Sequence, residues 1–107
     1  MDDQQFRTAC DGAMDTLRRA LERTSEDFDF DVDSKEGALA VEFDDPPAKF
    51  VVSPNSPVHQ IWVSARVKSF KLDWNPASSA FELPDGRSLL QLMGDVIGEQ
   101  LGETVDL

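Results

Sequence analysis

Two periodicities divide the chain. Over residues 4–24, Phe6, Cys10, Met14, Leu17 and Leu21 recur at spacings of four, four, three and four, which places them on one stripe of a helix. After Ser25 the period becomes two. Phe28, Phe30 and Val32 alternate with Asp27, Asp29, Asp31 and Asp33, the pattern of a half-buried strand. Gly37 marks a turn, and Leu39, Val41 and Phe43 then alternate with Ala38, Ala40 and Glu42. Further strands are predicted over 48–52, 58–65 and 68–74, with a shorter one over 79–83. The stretches Asp44-Asp45-Pro46-Pro47 and Ser53-Pro54-Asn55-Ser56-Pro57 are short enough to be turns between them.

A second helix opens at Ser88-Leu89-Leu90-Gln91, where Ser88 and Gln91 can each satisfy the other's free backbone N–H. Leu89, Leu92, Met93, Val96, Ile97 and Leu101 supply its buried face, and Gly102 ends it. Gly94 and Gly98 each cost about 1 kcal/mol of helix propensity relative to Ala. Four residues apart, they leave a smooth strip that another backbone can approach closely. The order helix, strands, helix predicts one domain over 1–107 of class α+β. It is a two-layer sandwich, with an antiparallel sheet of five to six strands and the N- and C-terminal helices on one face. The other sheet face stays open.

Composition agrees with a small soluble domain: 107 residues, 40% hydrophobic and 29% charged. Charge changes the picture more. Twenty-one acids against ten bases give a net charge of −11, and most of the excess lies before residue 49. A field of that sign repels phosphate backbones and anionic lipid, so neither nucleic acid nor a membrane surface is an expected partner. Cations and basic protein surfaces are. The single cysteine, Cys10, excludes an intramolecular disulfide and cysteine-rich metal sites. No apolar run approaches the roughly 18 residues of a membrane span. Met1-Asp2-Asp3-Gln4 lacks the features of a signal or transit peptide, and the expected location is cytoplasmic.

Asp11, Asp15, Glu22 and Glu26 share a helix stripe away from the apolar one, interrupted by Arg18 and Arg19, which form i,i+4 pairs with Glu22 and Asp15. The following strand is more telling, because four aspartates at period two project to one side and repel one another, and Asp is a poor strand former. Charge on an edge strand can protect it from pairing with another chain; the other reading is cation binding. An EF-hand starting at Asp29 would need Gly where Ser34 stands and Glu where Ala40 stands, so that motif is absent. An all-oxygen surface suits hard cations such as Fe³⁺ and accepts Fe²⁺, Mn²⁺, Ca²⁺ or Mg²⁺. Carboxylates spaced about 7 Å along a strand cannot jointly enclose one ion, so binding should be weak, multiple and exchangeable.

On the predicted fourth strand Ile61 and Val63 share one parity, leaving Gln60, Trp62 and Ser64 on the open face. Trp62 there is either shielded by its cross-strand neighbours or an aromatic anchor for a protein partner. Phe70, Leu72 and Trp74 take the core parity of the fifth strand, and Lys71 and Asp73 the open side. His59, the only histidine, has no nearby nucleophile and is read as structural; Cys10 lies on the buried stripe and is read as an inert core thiol. No Gly-rich phosphate loop is present, and no basic patch beyond Arg66, Lys68 and Lys71.

The run Lys49-Phe50-Val51-Val52, then Pro57-Val58-His59-Gln60-Ile61-Trp62-Val63-Ser64, resembles the sheet signature of the frataxins. Leu72-Asp73-Trp74 and Asp85-Gly86-Arg87-Ser88-Leu89 follow at similar spacing, and Gly37-Ala38-Leu39 follows an acidic helix and strand. The resemblance covers nearly the whole chain and is similar in length to the bacterial branch. It implies the helix–sheet–helix sandwich, a non-enzymatic role in iron–sulfur cluster assembly, and weak, exchangeable Fe²⁺ or Fe³⁺ binding on an acidic ridge. It also implies docking on the cysteine desulfurase and its scaffold protein. Carried over by position, the ridge comprises Glu22, Asp27, Asp29, Asp31 and Asp33, to which the charge pattern adds Glu26. The sheet contact comprises Gln60 and Trp62, with Lys71 and Asp73 beside them on the open face. The chain departs from the family pattern at Ser53-Pro54-Asn55, and it carries Arg18, Arg19 and Arg23 on the first helix. Iron is therefore expected to depend more on residues 26–33 than on the helix, and the chain to be a monomer without iron. Two other classes stand beside this reading: an acidic interaction module that uses no metal, and a ferroxidase. The latter would need convergent carboxylates and a Glu-x-x-His that is missing here.

Overall fold

The computed structural model describes residues 1–107. Helix α1 (Asp3–Thr24) is followed by strands β1 (Asp31–Lys35), β2 (Ala38–Asp44), β3 (Pro47–Asn55), β4 (Gln60–Ala65), β5 (Lys68–Asn75) and β6 (Ala80–Glu82), and then by helix α2 (Leu89–Leu101). The six strands form one antiparallel sheet in chain order, each paired with its sequence neighbours. Both helices bury their apolar stripes on one face of it, giving the predicted α+β sandwich.

Local chemistry sets the element ends. Asp2 caps α1, accepting from the Gln5 amide at 2.7 Å while Gln5 Oε1 accepts from the Asp2 amide at 2.9 Å. The same reciprocal box, foreseen at Ser88 and Gln91, opens α2. Gly102 closes α2 in the left-handed region, φ 70°. The β1–β2 hairpin turns on Glu36 and Gly37, both at positive φ, which pins Lys35 opposite Ala38.

The core is continuous. Phe6, Cys10, Leu17 and Leu21 of α1 meet Leu39, Val41, Phe50, Val52, Ile61, Val63 and Leu72 of the sheet and Leu92, Met93 and Ile97 of α2. Phe6 and Trp74 each present an edge to Phe81, at 5.8 and 5.1 Å between ring centres. Of the expected α1 stripe only Met14 is half-buried, and Ala20 and Thr24 complete the face. The strip left by Gly94 and Gly98 is occupied by the chain's own end. A Cβ on Gly94 would stand 2.7 Å from the Val105 carbonyl oxygen, and one on Gly98 would stand 2.6 Å from that of Glu103.

Three expectations need correction. The acidic strand predicted over 27–33 begins only at Asp31. Residues 25–29 form a turn in which the Asp27 and Phe28 amides both donate to the Thr24 carbonyl. Extending the β1–β2 register by one more pair on that face would set Asp29 directly opposite Asp44, adding a second like-charge pair to that of Asp31 with Glu42. Secondly, β3 runs on through Pro54 to Asn55. Its last pair with β2 is Leu39 with Val52, so Pro54 deprives no β2 partner of a donor. Thirdly, β4 starts at Gln60, because Ser56–Val58 forms a 3-10 turn and His59 takes φ 52°.

Candidate functional site: an acidic edge and an open sheet face

Positive side chains divide the acidic residues into two groups. On α1, Arg18 bridges Asp15 at 2.7 Å and Glu22 at 3.1 Å, and Arg19 Nε holds the other Asp15 oxygen at 3.1 Å. The two carboxylates hold the Arg18 guanidinium above its ordinary pKa, chiefly through these hydrogen bonds. Glu22 is thus tied down by its neighbours. Glu26, Asp27, Asp29, Asp31 and Asp33, by contrast, are exposed and form no ion pair. The four aspartates do not share one strand face as expected, and Glu26 lies past the end of α1 and not on its stripe. Glu26, Asp27 and Asp29 lie on the turn from α1, and only Asp31 and Asp33 project from β1, an outer strand of the sheet.

The hairpin register adds a carboxylate that the sequence pattern did not single out. Asp31 stands directly opposite Glu42, and side chains so paired have Cβ atoms about 5 Å apart. Lys49 approaches Glu42 from the other side, at 4.0 Å. Placing the two-residue turn at Glu36 and Gly37 would have revealed the pair, since it fixes every later partner. No group of three or more His, Cys, Asp or Glu side chains converges as metal ligands. One or two protein oxygens per cation, completed by water, are what this edge can offer a hard ion.

Gln60, Trp62, Lys71 and Asp73 come together on the open face. Gln60 pairs with Asp73 and Trp62 with Lys71 across β4 and β5. The indole Nε1–H of Trp62 donates to Gln60 Oε1 at 2.9 Å, and Gln60 Nε2 donates to Asp73 Oδ1 at 3.0 Å. Lys71 Nζ lies 4.9 Å above the indole ring, a contact worth about 0.5–1 kcal/mol at an exposed site. The indole is therefore held in one orientation while 38% exposed. A fixed aromatic plate loses little side-chain freedom when a partner covers it. Trp74 faces the other way and is half-buried against Phe81, as its parity predicted.

His59 and Cys10 take structural places. The His59 ring stacks on Phe6 at 5.1 Å with Nε2 2.7 Å from Asp3 Oδ1, fastening the start of α1 to the sheet. Cys10 is buried, and desolvation, helped by the Asp11 charge, pushes its thiol up to about 11. At neutral pH a thiol so raised stays protonated, which makes it a poor nucleophile.

Two helices on one face of a six-stranded antiparallel sheet, with an unpaired acidic edge and an aromatic plate on the open face, define an α+β sandwich with one sheet face uncovered. The chain belongs to the frataxin family: residues 1–103 match the family's frataxin-like domain. An iron-sulfur cluster assembly protein CyaY from Dechloromonas aromatica is 32% identical over 107 residues, covering 100% of this chain and 99% of that one. The CyaY protein of Tolumonas auensis is 28% identical over the same span with the same coverage. Among solved structures, the frataxin from Psychromonas ingrahamii superposes with a TM-score of 0.77 at 26% identity, over 99% of this chain and 97% of that one.

Proposed function

We propose that the chain serves iron–sulfur cluster assembly as a non-enzymatic, iron-binding regulator. Fe²⁺ or Fe³⁺ is its cargo, held weakly on Glu26, Asp27, Asp29, Asp31 and Asp33, and the Trp62 face docks the cysteine desulfurase with its scaffold protein. The observation that carries the reading is the difference between the two acidic groups. The helix acids Asp15 and Glu22 already have cationic partners, whereas Glu26, Asp27 and Asp29 on the turn after α1 and Asp31 and Asp33 on β1 have none. Asp31 also faces Glu42 across the ladder. A cation arriving there relieves like-charge repulsion, and nearly complete hydration keeps it exchangeable. That suits passing iron on better than storing it. The likeness to proteins named for iron–sulfur cluster assembly points the same way.

Titrating Fe²⁺ anaerobically while following amide signals tests the cargo. Broadening confined to residues 26–33 and Glu42 is expected, and an unchanged spectrum would leave a metal-independent interaction module instead. Asp27→Asn, Asp29→Asn and Asp31→Asn together should weaken Fe²⁺ binding more than Asp11→Asn with Asp15→Asn, because Arg18 and Arg19 already hold Asp15 and leave Asp11 as the one free carboxylate of that pair; equal losses refute the assignment. Trp62→Ala should abolish capture by the immobilised desulfurase without altering the fold.

A further inference from the structure

The β4–β5 hairpin ends in a tip that combines a fully exposed apolar side chain with two unpaired cations. Its tip is Arg66-Val67, followed by Lys68 at the start of β5. Val67 is 99% exposed, the most exposed large apolar side chain of the protein. Arg66 adopts φ 58°, a left-handed conformation for which Gly or Asn is the ordinary choice and which costs a branched or long side chain energy. Neither Arg66 nor Lys68 has an ion-pair partner, in a chain of net charge −11. Even Glu99 of α2, which lines the same shallow notch as Arg66, Val67 and Lys68, makes no ion pair with them. Arg7, Arg23, Lys35 and Lys71 are unpaired as well, but only at this tip do two such cations flank a fully exposed apolar side chain. A turn chosen for stability would carry Asn-Gly, and cations placed for stability would neutralise nearby acids.

We infer that the Arg66-Val67-Lys68 tip is a docking element of its own, in which Val67 enters an apolar hollow on a protein partner and the two cations meet acidic groups around it. The placement adds a constraint. Continued past its last pair, Val51 with Ser64, the β3–β4 register brings Arg66 level with Lys49, and Lys49 lies in the row of Glu42 and Asp31. The basic tip and the acidic edge thus sit at one end of the sheet, three strand spacings or roughly 14 Å apart. The complementary surface is striped, an acidic patch for the tip beside a basic patch for the β1 edge. Two contacts of opposite sign fix the orientation of docking, which one uniform field cannot do.

The partner assignment rests on the assembly role proposed above, and the test separates the two. Purified desulfurase with its scaffold protein is the probe. Dissociation constants are measured for the parent chain, for Arg66→Glu with Lys68→Glu, for Val67→Ser, for Arg66→Asn and for Trp62→Ala, with circular dichroism to confirm each fold. The double reversal takes the net charge from −11 to −15, so attraction by overall charge to a basic partner would tighten binding. A docking tip instead predicts weakening of at least about 10-fold, with smaller losses for Val67→Ser and for Arg66→Asn, which suits the turn but removes the charge. Parent-like or tighter binding by the tip variants, with Trp62→Ala still defective, overturns the tip and leaves the assembly role standing. A parent chain that does not bind overturns both. Retention of the parent, but not of the tip variants, on phosphatidylserine-containing vesicles would also overturn a protein partner.

Discussion

Replacing Gly94 by Ala sets two effects against each other, and their sizes decide the sign. Ala is the better helix former by about 1 kcal/mol in a helix interior, and Gly94 is in the middle of α2. Yet the new Cβ would stand 2.7 Å from the Val105 carbonyl oxygen. That neighbour is backbone, so it cannot rotate away; the C-terminal segment must lift. Val105 is 6% exposed and belongs to the core, and re-exposing a buried Val side chain costs about 1.5–3 kcal/mol. The net expectation is a loss of about 0.5–2 kcal/mol, lowering Tm by roughly 2–15 °C. Urea and thermal melts of Gly94→Ala, Val105→Ala and the double variant measure it. The double variant should lose less than the sum of the singles, since both remove the same docking. Gly12→Ala is the control: on α1 its Cβ meets nothing within 4 Å, so it should stabilise by up to about 1 kcal/mol. If Gly94→Ala stabilises to the same extent, the tail is not seated on α2 and the reasoning fails.

Other outcomes follow from single contacts. Ser88→Ala removes the α2 cap and should lower stability by about 1 kcal/mol, read from the urea midpoint at unchanged slope. Glu82 is held below its ordinary 4.5 by hydrogen bonds from Asn75 at 2.8 Å and then Ser78 at 2.8 Å. A depressed carboxyl contributes stability above pH 4.5 that disappears as pH falls through its folded value. Asn75→Ala should therefore reduce stability at pH 7 and flatten the acid limb of a stability–pH curve; an unaltered limb contradicts it. The Cys10 thiol, raised from 9.0 to about 11, should react with a maleimide at pH 8 at least about 100-fold slower than the urea-unfolded chain. Labelling at the unfolded rate would show that α1 is not packed as described.

Much of the site was readable without coordinates wherever it depends on parity. Once β4 and β5 are strands, Gln60, Trp62, Lys71 and Asp73 must share a face, and a hairpin brings them together. The acidic ridge was less readable. Alternation of Phe and Asp over 27–33 is a valid strand pattern, but the Asp27 and Phe28 amides go to the Thr24 carbonyl at the end of α1, and pairing with β2 begins only at Asp31. Glu42 escaped notice because a residue's cross-strand partner depends on the turn as well as on its own strand.

The amino-acid order by itself determined the two helices with the α2 cap and stop, the alternating strands, the sandwich, and the excess of negative charge, because each follows from periodicity or local backbone chemistry acting over a few residues. Only the tertiary structure decided which carboxylates stay unpaired, that the indole is clamped between Gln60 and Lys71, and that the glycine strip of α2 receives the chain's own C-terminal segment. Those outcomes depend on register and on distances between residues remote in the chain, which no local pattern encodes.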